Sequence, residues 1–377
     1  MRLPMNTSLA TLKPSGIRRI NALAAQHPGC IALALGEPDF PTPDVISAEV
    51  TASLDRGDTH YPPNNGRPAL REALSAYMGD AGLTFSADEV ILTDGATEAL
   101  SATFMAMLNP GDEVIIPTPA FGLYESIVVA NHAKAVFLDT EPAQFQVDEE
   151  ALRACVTPAT KAIVICSPNN PTGDVAPLDF VAALCDACPG MVMVDEAYVE
   201  FADDSFGAAT TAQGLIAEHP NLVILHTLSK AFGAAGTRLG YVIATPEVID
   251  VFAAIRQIYS VNVLSQAAAL ACVRARDTYA PVVAQVASER ERELAALRAM
   301  AAEGLPVEAW PSSANFVLVR TPHATRVRER LRDEYSILVR DFSYAPGLAD
   351  CLRITVGTPQ ENDEVLAAFA ALVKEEM

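Results

Sequence analysis

The chain has 377 residues, half of them hydrophobic and 19% charged, with 26 Lys and Arg against 47 Asp and Glu and a net charge of −21. A chain of this length buries a large core without disulfide or metal staples and divides into about two domains. The acidic balance argues against nucleic acid or an anionic membrane surface as the main partner, since both need a basic footprint, yet a few placed cations can still bind one small anion.

The N-terminus, MRLPMNTSLATLKPSGIRR, lacks the continuous apolar stretch of a signal peptide, so the sequon at Asn6-Thr7-Ser8 carries no weight and the expected compartment is the cytoplasm. The longest uncharged stretch, Gln257 to Val273, contains Gln, Asn and Ser and is not a membrane span. From about residue 45 to 270, helical patterns alternate with short runs rich in Val and Ile. These runs are EVIL (89–92), DEVIIP (112–117), KAVFL (134–138), KAIVICS (161–167), GMVMVDE (190–196), NLVILHT (221–227) and LGYVIAT (239–245). They predict a mostly parallel sheet covered on both faces, an α/β architecture. Residues 281–303 predict a long amphipathic helix stopped at Gly304. Strand-like pieces at 314–320, 336–341 and 351–357 and a final helix over 360–375 predict a smaller α+β unit. The expected division is an N-terminal segment (1–44) packing with the small domain, a large domain (45–275) and a small C-terminal domain (276–377).

The seven cysteines are scattered and read as reduced thiols. Cys185 and Cys188 form a lone C-x-x-C with no second pair at zinc-ligand spacing, which reads as two small apolar residues one helical turn apart, and no metal site is expected.

Ligands of open α/β sheets sit beyond the carboxyl ends of the strands, so the polar residues that follow the apolar runs are the candidates. In LTDGATEAL the amides of Ala96 and Thr97 at a helix N-terminus suit a phosphate. In ICSPNNPTGD, Asn170 offers an amide from a stiff turn. In VMVDEAY, Asp195 ends a buried strand, where a carboxylate needs a paired cation or a hydrogen-bonded cap, and Tyr198 follows it. In ILHTLSKAFGAAGTRLG, Thr227, Ser229, Lys230 and Arg238 bring hydroxyls and cations together after a strand. Apolar surroundings and a neighbouring cation would lower the Lys230 pKa and make it a usable amine nucleophile.

SPNNPTG, DEAY and TLSKAF-x5-R, in this order, resemble the fold-type I pyridoxal-phosphate enzymes, specifically the class I/II aminotransferases, over about Leu33 to Val365. The resemblance implies a large domain with a mostly parallel seven-stranded sheet, a smaller α+β domain and pyridoxal 5'-phosphate as cofactor. It implies that Lys230 binds the cofactor aldehyde covalently and later carries a proton. Asp195 would pair with the pyridine nitrogen, and Tyr198 and Asn170 would hydrogen-bond the phenolic oxygen. Ala96, Thr97, Thr227, Ser229 and Arg238 would hold the phosphate, and Phe121 in PTPAFGLY would stack on the ring. Tyr61 in HYPPNNG would reach the neighbouring subunit's cofactor, making a homodimer with shared sites. Arg353 in CLRITVG would grip a substrate carboxylate beside Gly36 of LGEPDFPTP.

The C-terminal half looks like histidinol-phosphate aminotransferase, in which an arginine matching Arg340 binds the substrate phosphate; the alternative is a solvated Arg340 paired with Asp341. LALGEPDFPTP and HYPPNNGRPALREAL resemble the aspartate and aromatic branch instead. The expected reaction moves an amino group from an amino acid or amino-alcohol phosphate to a 2-oxo acid such as 2-oxoglutarate. A phosphothreonine-type decarboxylase, a C–S lyase and a cofactor-sensing regulator are the competing readings, the last weakened by the lack of a basic DNA-binding segment.

Overall fold

A computed structural model of the chain describes residues 12, 16–38, 40, 42–77, 83 and 85–376. Asn6-Thr7-Ser8, most of the segment before Gly16, and Asp39 and Pro41 of the LGEPDFPTP motif lie outside the described residues.

Twelve strands occur among the described residues, β1 (Ile31–Leu33), β2 (Val90–Asp94), β3 (Glu113–Thr118), β4 (Lys134–Asp139), β5 (Thr160–Cys166), β6 (Met191–Asp195), β7 (Leu222–Thr227), β8 (Leu239–Ile243), β9 (Glu308–Ala309), β10 (Phe316–Arg320), β11 (Ile337–Asp341) and β12 (Cys351–Thr355). The seven apolar runs become β2 to β8 and form one sheet in the order β2-β8-β7-β6-β5-β3-β4. β8 alone runs opposite to the other six strands. The inner strands are apolar at successive positions because both faces are covered, whereas the edge strand β4 is partly exposed, Phe137 by 51%. Ile91, Val114, Val164, Met193, Val223 and Val242 enter one core. Leu92, Ile115, Ile163, Val192, Ile224 and Ile243 enter the other. Each fully buried side chain of this size contributes about 1.5–3 kcal/mol. The carboxyl ends of β2, β5, β6 and β7 lie along one edge, and the reversed β8 begins there, so Arg238, just before Leu239, arrives at the same edge.

A second sheet has the order β1-β11-β12-β10-β9, with β1 parallel to β11 and the other pairs antiparallel. Its alternation sends Val317, Val319, Ile337, Val339, Leu352 and Ile354 into a core shared with the helices 280–302, 324–335 and 359–375. Period-two geometry then turns Arg340 and Arg353 to the opposite face, where they are direct cross-strand partners. The helix Ala280–Ala302 stops before Gly304, whose φ of +92° suits a glycine.

Cys185 lies in the helix Leu178–Ala187 and Cys188 just beyond it; both are free, buried in the apolar core, and burial pushes the Cys185 thiol up to about 12. Among the described residues no group of His, Cys, Asp or Glu is placed to hold a metal ion, and no helix is long and apolar enough to cross a membrane.

Glu293 on the long helix is completely buried, and among the described residues neither carboxylate oxygen has a hydrogen-bond partner. Burial holds its pKa well above the ordinary glutamate value. The folded chain therefore binds this proton more tightly than the unfolded one. Stability from this group is intact below the unfolded value near pH 4.5 and is lost as pH rises toward the folded value. Replacing Glu293 with Gln should raise the thermal midpoint at pH 8 by several degrees and leave it nearly unchanged at pH 4.5, a contrast that differential scanning calorimetry measures.

Candidate active site

Asp195, the last residue of β6, is buried on the same sheet face as Met193. Its carboxylate accepts hydrogen bonds from the Tyr124 hydroxyl at 2.7 Å and from the Ala197 amide at 3.2 Å. Burial nonetheless pushes its pKa up, the Tyr124 hydrogen bond opposing this. Two neutral donors leave this carboxylate under-compensated, so it is built to receive a cation.

Lys230 follows β7, and its ammonium lies 5.4 Å from the centre of the Tyr198 ring. Burial, then the charge of Arg353, lowers the Lys230 pKa to about 8. Near neutral pH such an amine is neutral far more often than an ordinary lysine. The Tyr198 hydroxyl accepts from Asn170 Nδ2 at 3.5 Å, and burial pushes its pKa up to about 12. Arg353 donates to Asn170 Oδ1 at 2.6 Å and to the Ala34 carbonyl at 3.0 Å. Its guanidinium lies over Phe316 at 4.6 Å. Burial lowers the Arg353 pKa, and the Arg340 charge adds to this.

Gly36 has φ +66°, and a Cβ there would lie 3.4 Å from the Tyr198 hydroxyl and 3.5 Å from Arg353 Nη2. Glycine thus allows both the turn and the close approach. Its amide donates to Thr355 Oγ1 and its carbonyl accepts from Asn315 Nδ2, which fixes the turn against the second sheet. Arg340 is only 7% exposed, donates to the Tyr344 hydroxyl at 3.4 Å and lies 5.5 Å from the Phe342 ring, which also borders Arg353. The solvated alternative for Arg340 does not match this burial.

At the carboxyl end of β2, Ala96 and Thr97 open the helix Gly95–Met107. Arg238 is half-exposed there, 3.6 Å from Asp94, and a Cβ on Gly95 would strike its guanidinium at 2.5 Å. A Cβ on Gly240 would likewise meet the Ala96 amide nitrogen at 2.7 Å, so two glycines let the helix end, β8 and Arg238 converge. Thr227 is buried with its hydroxyl turned toward Ser229 Oγ at 2.9 Å and the Leu239 carbonyl at 3.0 Å, and its oxygen accepts from the Ser229 amide. Phe121 packs edge-on against Tyr124.

Lys230, Tyr198, Asn170, Arg353 and Gly36 are thus brought together, with Asp195 and Arg340 linked through Lys230 and Arg353. Tyr61 is not part of this set within the chain: it is 81% exposed and stacks on Tyr259 at 4.3 Å. Sequence reasoning missed Tyr124, Asn315 and Thr355. Tyr124 carries a signal, because a buried tyrosine on an apolar helix must find a partner for its hydroxyl.

Comparisons place this geometry among known proteins. Residues 28–369 match the family model of aminotransferase class I and II. The chain is 32% identical to histidinol-phosphate aminotransferase of Ruminiclostridium cellulolyticum over 93% of this chain and 94% of that protein. It superposes on Thermus thermophilus aspartate aminotransferase with maleate at TM-score 0.83 and 29% identity, covering 99% of this chain and 100% of the other. It also shares the fold of Sinorhizobium meliloti histidinol-phosphate aminotransferase in complex with pyridoxal-5'-phosphate, at TM-score 0.85 and 23% identity, covering 100% and 99%.

The charge of Arg353 helps keep the Lys230 amine acidic. Changing Arg353 to Leu should therefore move the midpoint of Lys230 reductive methylation, read by peptide mass spectrometry against pH, upward from about 8. An unchanged midpoint would separate the two residues.

Proposed function

The chain belongs to the aminotransferase class I and II family, and within it we propose that the amino donor is a phosphate-bearing amine, histidinol phosphate foremost, and the acceptor a 2-oxo acid such as 2-oxoglutarate. The cofactor is pyridoxal 5'-phosphate, and the residues fit it: an under-compensated buried carboxylate, an amine of lowered pKa and a glycine-lined anion cradle stand at one sheet edge. When bound, the cofactor supplies an electron sink for bond cleavage at the amine-bearing carbon.

In this reading Asp195 holds the cofactor's pyridine nitrogen as a cation, with Tyr124 and the Ala197 amide fixing the carboxylate. Ala96, Thr97, Thr227, Ser229 and Arg238 hold the phosphate, Thr227 acting chiefly by orienting Ser229. Phe121 covers the ring, and Tyr198 and Asn170 bind its phenolic oxygen. Lys230 Nζ, neutral in a large fraction near pH 8, would hold the cofactor aldehyde and, once displaced by the substrate amine, would be the free base that carries the proton at the substrate carbon. Arg353 would orient the carboxylate of the 2-oxo acid acceptor beside Gly36.

The observation that carries the substrate reading is the buried Arg340–Arg353 pair. Two guanidiniums side by side out of water repel each other, and a doubly charged anion offsets this. A phosphate ester or a dicarboxylic oxo acid supplies such charge. The name borne by relatives such as the Ruminiclostridium protein supports the phosphate ester. An aspartate donor would use the same pair, which the likeness to the Thermus enzyme favours as the second reading. The chain acts as a homodimer with shared sites, supported by the exposed Tyr61–Tyr259 stack and the 68%-exposed Ile258 beside it in sequence. It works in the cytoplasm on small molecules, with the described part of the N-terminal segment (1–44) riding on the small domain (276–377) through β1 and the large domain (45–275) holding the cofactor.

The deciding experiment mixes the cofactor-loaded protein separately with histidinol phosphate, aspartate, phenylalanine and alanine and follows the cofactor absorbance through the half-reaction. Histidinol phosphate should bleach the band at the lowest concentration. Changing Arg340 to Ala should lower kcat/KM for that donor by roughly 10- to 100-fold, as expected for losing a charged hydrogen bond, and change alanine little. Equal loss for every donor would remove the phosphate role from Arg340, and a preference for aspartate would favour the second reading.

A further inference from the structure

Directly behind the site, on the sheet face turned away from Asp195, lies a buried polar cluster that the reaction does not use. Glu196 and His226 are each 1% exposed, and the imidazole Nε2 donates to Glu196 Oε2 at 2.8 Å. The carboxylate also accepts from the Thr211 hydroxyl and the Ala212 amide, both at 2.6 Å. The His226 ring stacks on Tyr241, and its Nε2 lies 2.9 Å from the Gln213 amide. Glu200, pushed up to about 7 by burial, takes a 3.4 Å hydrogen bond from Tyr77. These are the ionisable neighbours of the imidazole: Glu196 and Glu200 from the turn after β6, Asp195 at the end of β6, Tyr241 on β8, and Tyr77 through Glu200.

Leaving a glutamate and a histidine in an apolar core is costly unless they hold something in place. Here they hold the turn that carries Asp195 and Tyr198. The Glu196 amide extends the β6–β7 ladder by donating to the Leu225 carbonyl at 2.9 Å, and its carbonyl accepts from Val199 at 3.1 Å. With the Glu196 side chain tied to three groups as well, Asp195 next to it has little room to swing.

We propose that Glu196 and His226 are a positioning pair, which fixes the Asp195–Tyr198 turn from the far side of the sheet and couples the imidazole proton to what Asp195 binds. This rests on the reading of Asp195 as the partner of the cofactor's ring nitrogen. Burial lowers the His226 pKa, but the Glu196 hydrogen bond and the nearby carboxylates, Asp195 among them, outweigh it and raise the value above the ordinary 6.5. Neutralising Asp195 removes one of those negative charges, so the imidazole releases its proton more easily. Coupling is reciprocal: a cation on Asp195 weakens the proton on His226, and the proton on His226 weakens the cation on Asp195.

The test is nitrogen-15 NMR of histidine-labelled full-length protein, with the His226 signals assigned by through-bond correlation to its backbone. In the apoprotein His226 should titrate above 6.5. Added pyridoxal 5'-phosphate should lower the midpoint by roughly half a unit, a threefold change in proton affinity. D195N apoprotein should show the same lowering without cofactor, and added cofactor should then shift it no further. If D195N lowers the midpoint but bound cofactor in the unaltered chain does not, the reading of Asp195 fails while the coupling stands. If neither moves it, the coupling itself is wrong. For positioning, E196Q keeps the shape but loses the charge, and should bind pyridoxal 5'-phosphate about tenfold more weakly by absorbance titration, with H226Q as the second variant should E196Q not fold. Wild-type affinity in whichever variant folds overturns the positioning role, and failure of both to fold while the His226 titration ignores cofactor and D195N overturns the whole proposal.

Discussion

Everything in this molecule is arranged around cations held out of water. Lys230, Arg353 and Arg340 stand where the end of one sheet meets the face of another, and burial together with mutual repulsion lowers the pKa of the first two. Each would be cheaper to keep in solvent. An anion entering this space meets charges already stripped of water, so little reorganisation is needed, and the interaction is stronger than the same contact at the surface. The chain's net charge of −21 is the background against which this small cationic volume is set.

Two sheets are needed because no single element can supply both kinds of group. The parallel sheet aligns the ends of β2, β6 and β7 and so delivers a helix N-terminus, a carboxylate and an amine to one edge. The second sheet presents two neighbouring arginines on the face opposite the helices 280–302, 324–335 and 359–375. The contacts that join them are polar and specific, Arg353 to Asn170 and the Ser313 amide to the Gly173 carbonyl at 2.7 Å, while Arg353 to Ala34 and Asn315 and Thr355 to Gly36 fix the turn after β1 within the second unit. The substrate side is thereby tied to the cofactor side through backbone and amide groups whose geometry is fixed by the ladders.

Much of this was legible in the sequence, and the reason is periodicity. A strand buried on both faces reads as a continuous apolar run, so the runs of the inner strands declared themselves, the edge strand KAVFL showed itself by its Val and Phe, and the residues just past the runs marked the site. Tyr124 reaching Asp195 across 71 positions, and Asn315 reaching Gly36 across 279, depend on how helices and strands dock and have no local pattern. The Glu196–His226 pair is of the same kind: both residues stood inside motifs whose neighbours drew the eye, and only the register of β6 on β7 places them together. Arg340 was ambiguous in sequence because a strand-end arginine beside an aspartate is most often solvated; its cross-strand partnership with Arg353 is what turns it inward.

The central claim is that one buried amine, Lys230, is where the cofactor is anchored. It is tested most directly by incubating the protein with pyridoxal 5'-phosphate, reducing with borohydride and mapping the added mass on proteolytic peptides. The account predicts stoichiometric modification of the peptide carrying Lys230, whose pKa is lowered to about 8, and none on the peptides carrying Lys134, Lys161 or Lys374. Modification spread over the surface lysines, or an unmodified Lys230, would contradict it.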